Sequence, residues 1–231
     1  MSTLGHINAV LAGKALPYAH QSLSAINKKI LSGRHYVSTL GLLQDEQGDS
    51  RFHGGLQKAL HIYPSEHYKF WQQELGPLPV INTVGAFGEN LSSSGITEAT
   101  ICLNDKIRIG STLLEVSQGR MPCWKLNIRF NQCNMAQKLQ DTLKTGWYFR
   151  VLEEGEIGVG DEIILCDRPY PDWSLTKIMH IIFSGNLDSQ ELKPLLNIPL
   201  VDSWQKVVEQ RLKTGCLEDC RPRLIGPTLK G

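Results

Sequence analysis

The chain lacks a surplus of charge of either sign: 24 lysines and arginines stand against 23 aspartates and glutamates in 231 residues. It therefore lacks the electrostatic footprint of a protein that binds nucleic acid directly. No apolar run approaches the ~18–20 residues a membrane-spanning helix needs, so no membrane contact is expected. The first residues, MSTLGHINAV, show no basic region leading into an apolar core, and a secretory leader is not expected either. Both absences point to the cytoplasm, where thiols stay reduced. The six cysteines (Cys102, Cys123, Cys133, Cys166, Cys216 and Cys220) are then not expected to form a disulfide framework. No two make a CxxC pair. Cys216 and Cys220 lie close in sequence, but no second pair or histidine cluster completes a zinc site. A GxxxxGK[ST] phosphate loop and a GxSxG nucleophile elbow are also missing. So are flavin, nicotinamide and iron–sulfur signatures. What is there is ordinary globular composition, 41% hydrophobic and 20% charged.

Short strands punctuated by glycine dominate the pattern. Leu4–Leu11 reads as a strand closed by Gly13, and residues 15–50 as loop with one or two strands. His53-Gly54-Gly55 is a turn and Ala59–Tyr63 a strand. Pro64 then opens a helix with Tyr68, Trp71 and Leu75 on one face and Gly76 as its stop. Residues 85–96 read as a second glycine-punctuated loop. Residues 99–103, 106–109 and 113–116 are expected as strands and 134–144 as a helix. Residues 147–152 and 162–165 are two more strands, joined by EEGEIGVGD. This pattern predicts a β-barrel or sandwich. Past Arg168 the strand signal stops, and three helical segments follow near 174–183, 188–196 and 202–213. The fold class expected is mainly β with helices. A β domain covers residues 1–168, and a three-helix subdomain with a tail covers 169–231. About 60 residues rarely sustain a core alone, so the helices should pack on the β domain or on a partner.

Chemistry concentrates in QGRMPCWKL, residues 118–126, where Cys123 sits between Arg120 and Lys125. Nearby cations lower a thiol pKa, and the thiolate is the reactive form. Pro122 fixes the backbone just before it. Such a cysteine suits a soft metal or nucleophilic attack; a free cysteine is also, more ordinarily, a small buried hydrophobe. A second segment joins Arg51, His53 and Lys58 to two glycines. That composition suits an anion held by turn amides, or a plain hairpin with solvated charges. Glu89 could orient a base or relay a proton, and Asn90 could read a heterocycle edge; a turn bonded to itself is the plainer alternative. Arg150 alternates with apolar Phe149 and Val151 and points either into a cavity or outward. Taken together, one thiol and dispersed cations around glycine loops would fit a bound anionic cofactor carrying a soft metal.

Four segments in this order resemble the MOSC domain, the domain named for the C-terminal part of molybdenum cofactor sulfurase. They are GDSRFHGGLQKALHIYP (48–64), GAFGENLSSSGI (85–96), DKIRIGSTLLEVSQGRMPCWKL (105–126) and GWYFRVLEEGEIGVGD (146–161). The last two, with the helical extension, are similar to the bacterial YiiM-type branch. The resemblance implies a closed MOSC-type β-barrel that binds the molybdenum cofactor (molybdopterin), a molybdenum ion held by a pterin dithiolene. Cys123 matches the family's motif cysteine and would ligate the metal. Arg51, His53 and Lys58 would lie on the pterin or phosphate side, with Asn90, Arg120 and Arg150 as further contacts.

The resemblance also implies an oxidoreductase that detoxifies N-hydroxylated compounds by reduction, hydroxylaminopurine base analogues among them. His53 or Glu89 would relay protons beside Cys123, and electrons would come from a separate reductase. The same residues would serve a carrier that hands on sulfur or cofactor through Cys123 without turnover. A barrel without cofactor would act as an interaction module through its helices. Those helices could close over the cofactor, contact the reductase or form a homo-oligomer.

Overall fold

Alternating apolar residues give each strand one face that must be covered, and the strands satisfy this by closing on themselves. The computed structural model describes residues 2–49 and 53–227. Among them are thirteen strands: β1 (Ser2–Ala12), β2 (Leu16–Pro17), β3 (Leu23–Ser24), β4 (Lys29–Ile30), β5 (Arg34–Ser38), β6 (Gly41–Leu42), β7 (Leu60–Pro64), β8 (Leu91–Ser94), β9 (Lys106–Ile109), β10 (Thr112–Gly119), β11 (Trp147–Glu153), β12 (Gly155–Gly158) and β13 (Glu162–Asp167). The order β13-β9-β10-β11-β7-β8-β1, with β1 pairing back onto β13, makes a closed seven-stranded barrel. The sheet is mixed, because β7 and β8 run parallel. β4 extends the far end of β1. A small sheet of β12, β5 and β6 and the β2–β3 pair lie beside the barrel.

The helices of the described residues are α1 (Glu66–Leu75), α2 (Lys125–Phe130), α3 (Met135–Asp141), α4 (Leu175–Phe183), α5 (Ser189–Leu192), α6 (Asp202–Thr214) and α7 (Arg221–Leu224). The barrel is filled rather than hollow. Leu60, Ile62, Ile107, Leu114, Val116, Trp147 and Phe149 point inward and are fully buried. One apolar cluster continues from these into Leu175, Ile178, Met179, Trp204 and Val208 of the C-terminal helices. Where α4 crosses β10, Met179 packs so closely on Gly119 that a Cβ there would collide with its sulfur. The helices thus pack on the β domain, as their small size requires. A second cluster under α1–α3 holds Tyr63, Tyr68, Trp71, Phe87 and Phe130; the Tyr63 and Phe87 rings stack at 4.2 Å.

Several local expectations need correction. Leu91–Ser94, read as loop, is the barrel strand β8. Its serines hide the apolar signal, yet Ser92 and Ser93 are fully buried. Residues 99–103 form a turn, with only an isolated bridge from Cys102 to Ser174. The Asp105 carboxylate accepts from the Cys102 amide and competes with strand pairing there. Residues 155–158 are the strand β12 rather than linker. The end of QGRMPCWKL turns directly into α2. The final stretch, taken as a tail, contains α7 and docks against that same turn.

Candidate functional site

The period of two along the strands creates the site. Leu60, Ile62, Trp147 and Phe149 fill the barrel, so His61 and Tyr148 between them, opposite each other in register, face away from it. β10 ends at Gly119 on the same side, and the Arg120 amide still donates to the Gly146 carbonyl (3.0 Å) before the chain leaves the sheet. Pro122 and Cys123 follow, and α2 begins at once. Loops around residues 20–28 and 45–49 cover the opposite side. The result is a cleft with an inner pocket, floored by Lys28, Asp45, His61, Phe87 and Arg120, and an outer chamber of about 1050 Å3. His53, Lys58, Cys123, Lys125 and Tyr148 border both parts. Trp124, Met121, His20, Ser203 and Arg223 line the chamber alone.

The half-buried Cys123 thiol lies 3.4 Å from His53 Nε2. Burial first, and then the charges of Lys125, Arg120 and Lys58, push the His53 imidazole down to about 4, so it is neutral near pH 7. Its other nitrogen, Nδ1, is buried without a hydrogen-bond partner. An orphaned polar atom in a cleft is costly unless a ligand or water meets it. Burial likewise lowers the Lys58 ammonium, while the Cys123 sulfur acts in the opposite sense. Lys58 Nζ stands 5.9 Å from the Tyr148 ring centre. Arg120 and Lys125 are each 6% exposed, yet each donates to a backbone carbonyl. Arg120 donates to Phe87 O (2.7 Å) and Lys125 to Leu23 O (2.7 Å), and neither bond cancels the charge. Lys28 is different, because its ammonium is paired with the Asp45 carboxylate. The cleft around the sulfur is therefore cationic, half dry and suited to an anion.

The structure brings Cys123, His53, Lys58 and Arg120 together. Asn90 also borders the inner pocket, but its side chain is engaged by the protein. Its Nδ2 donates to Asp45 Oδ2 (2.8 Å) and Leu11 O (3.3 Å), and its Oδ1 accepts from the His61 amide (3.1 Å). Glu89 does not reach the cleft lining. It is fully buried, accepting from the Gly85 and Phe87 amides and from the Tyr68 hydroxyl, and so it shapes the loop. Arg150 does not reach it either. It lies opposite Glu115 in the β10–β11 ladder and pairs with that carboxylate, while its Nε donates to Gln57 (2.7 Å). Tyr148, two residues earlier, takes the place at the cleft instead. Arg51 lies outside the described residues. Sequence reasoning missed Tyr148, Lys28, Asp45, Trp124 and Arg223. Strand alternation puts Tyr148 on the same face as Arg150, and Trp124 adjoins Cys123 in the sequence; Lys28, Asp45 and Arg223 come from distant segments that only the fold brings close.

Among the described residues, no group of three or more His, Cys, Asp or Glu side chains could hold a metal ion. A soft metal at Cys123 would take its other ligands from outside the chain. One thiol, an unpartnered buried imidazole nitrogen and the charges of Arg120 and Lys125, each bonded to a carbonyl, fit a metal that arrives inside an anionic organic ligand.

The MOSC domain model matches residues 49–164, and the model of the YiiM-like 3-alpha helix domain matches residues 173–215. The chain belongs to the MOSC domain family and carries the YiiM-like helical extension. Protein YiiM of Escherichia coli K12 is 35% identical over 218 residues, 94% of this chain and 97% of that protein. The crystal structure of E. coli YiiM superposes with a TM-score of 0.80 at 30% identity, covering 96% of this chain and 98% of that one. A protein named "Reductase" from Gibberella moniliformis is 37% identical over 192 residues, 83% of this chain. The present chain spans only 34% of that relative's length.

Proposed function

We propose that this protein binds the molybdenum cofactor, with Cys123 as the protein's ligand to the metal. We further propose that it reduces N-hydroxylated compounds such as hydroxylaminopurine bases. The observation that carries this reading is the Cys123 thiol, which borders both the inner pocket and the outer chamber beside Arg120 and Lys125, whose side chains donate to backbone carbonyls. Membership of a family associated with this cofactor supports it, and so does the name of one relative. When bound, the cofactor supplies two-electron chemistry at molybdenum; the chain supplies placement and charge.

In this reading Arg120, Lys58 and Lys125 hold the anionic parts of the cofactor. The neutral His53 faces the sulfur with Nε2 and can carry a proton at either ring nitrogen, which makes it the proton relay. The outer chamber, walled by Trp124 and Tyr148, receives the substrate ring. The net reaction breaks the N–O bond of R–NH–OH. Two electrons from a separate reductase protein and two protons yield R–NH2 and water.

The test is molybdenum and pterin content of protein purified from a host that makes the cofactor, for the wild type and Cys123→Ala. We expect near-stoichiometric metal and pterin in the wild type and loss of molybdenum in the variant. Turnover of a hydroxylaminopurine with an artificial electron donor then separates an enzyme from a carrier. Wild-type protein devoid of both metal and pterin would sink the reading.

A further inference from the structure

The residue before Cys123 and the residue after it are bound by one and the same side of the C-terminal segment. Arg223 Nη1 donates to the Pro122 carbonyl (2.6 Å), and the Trp124 amide donates to the Arg223 carbonyl (2.8 Å). The guanidinium is held in turn by the buried Gln140, whose Oε1 accepts from Nη2 (2.6 Å). Next along the chain, the Leu224 carbonyl accepts from Asn127 Nδ2 (2.8 Å), and Gly226 lies so close to the Trp124 side chain that a Cβ there would crowd it. The segment is itself anchored, because Glu218 receives two bonds from the buried Arg211 of α6 (2.7 and 3.0 Å). A cysteine at a turn has two soft backbone torsions, one on either side of its Cα. Fixing the carbonyl ahead of it and the amide behind it removes much of that freedom, so the sulfur is placed before any ligand arrives.

We infer that Arg223 is a positioning residue for Cys123, through which the C-terminal segment sets where the thiol stands between the inner pocket and the outer chamber. Its consequence for a metal rests on the reading of the cleft given above; its consequence for the thiol does not. The guanidinium fork reaches Pro122 and Gln140 with two nitrogens in fixed planar geometry, which the single ammonium nitrogen of a lysine does not reproduce. The Arg223 carbonyl that receives the Trp124 amide is backbone and is present whatever the side chain, so substitution tests the guanidinium.

The experiment is site-resolved alkylation of the cofactor-free full chain with iodoacetamide, read by peptide mass spectrometry across pH 6–9. The exposed Cys133 serves as internal reference. For Arg223→Ala we expect the Cys123/Cys133 rate ratio to shift about five- to tenfold, with Arg223→Lys in between. A loss of packing alone would change the melting temperature but not this ratio measured well below it. In protein loaded with cofactor, Arg223→Ala should also retain less molybdenum per pterin than the wild type. If Arg223→Ala fails to fold, Arg223→Lys decides. A folded Arg223→Lys or Arg223→Ala with the wild-type ratio at every pH overturns the inference. Wild-type protein without molybdenum or pterin would defeat the cofactor reading instead and leave the alkylation result standing.

Discussion

His61 illustrates how the cleft depends on neutral imidazoles. It is almost fully buried, its Nε2 lies 3.2 Å from the Thr145 carbonyl, and its ring lies 5.1 Å from that of Tyr148. Burial, reinforced by Arg120 and Lys28, holds it well below the ordinary histidine range. The unfolded chain, with His61 near 6.5, therefore binds more protons than the folded one below that pH. Stability must rise with pH through the window from the depressed value up to about 6.5, and it is lost as pH falls through it. One such group contributes a slope of up to about 1.4 kcal/mol per pH unit. Urea unfolding at pH 5, 6 and 7 should show this slope, and His61→Gln should reduce it by up to that amount. An unchanged slope would mean that the imidazole is already protonated in the folded protein. The His53 imidazole, held down to about 4 beside Cys123, contributes in the same direction in the wild type and in the variant.

At the level of elements, the cleft is two loops held against one turn. β3, within the loop around residues 20–28, supplies the Leu23 carbonyl that receives Lys125, and Gly48 lies directly against that carbonyl and the Ser24 amide. Both obstacles are backbone, so a side chain at position 48 cannot be accommodated by a rotamer change. Gly48→Ala should therefore cost about 1–3 kcal/mol by overpacking, measured by urea denaturation. It should also weaken cofactor retention, because the acceptor of Lys125 is displaced. A variant as stable as the wild type and with full molybdenum content would show that the two loops move freely. The turn opposite them is short, passing from β10 to α2 within Arg120–Trp124, and this shortness keeps Arg120, Cys123 and Lys125 on one wall.

For the molecule as a whole, barrel and helices share their apolar core, and unfolding one without the other would expose Ile101, Leu103 and Val116 beside Met179 and Trp204. Each large side chain of this kind contributes about 1.5–3 kcal/mol through burial. We expect a single cooperative transition, with far-UV circular dichroism and tryptophan fluorescence coinciding. The fluorescence would report both Trp147 of the barrel and Trp204 of α6, each fully buried. Two separated transitions, with Trp204→Phe removing the signal of one, would show that the helices are an independent unit. Among the described residues, no helix is long and apolar enough to cross a membrane.

The sequence alone determined what local chemistry can determine. Short apolar runs between glycine turns marked β7, β10 and β11, the 3.6-residue period marked α1, α4 and α6, and one cysteine between two cations marked the turn that forms the cleft wall. It misjudged Leu91–Ser94 because a strand of small polar residues carries no hydrophobic signal when its burial comes entirely from its neighbours. Only the tertiary structure decided that Tyr148 rather than Arg150 meets the cleft, since that depends on Glu115 lying opposite in the paired strand. The same holds for Glu89, whose carboxylate is consumed by amides of its own loop, and for Arg223, 100 residues from the thiol it flanks. A contact between distant positions reflects register and packing of the whole chain, and no short window of sequence contains that information.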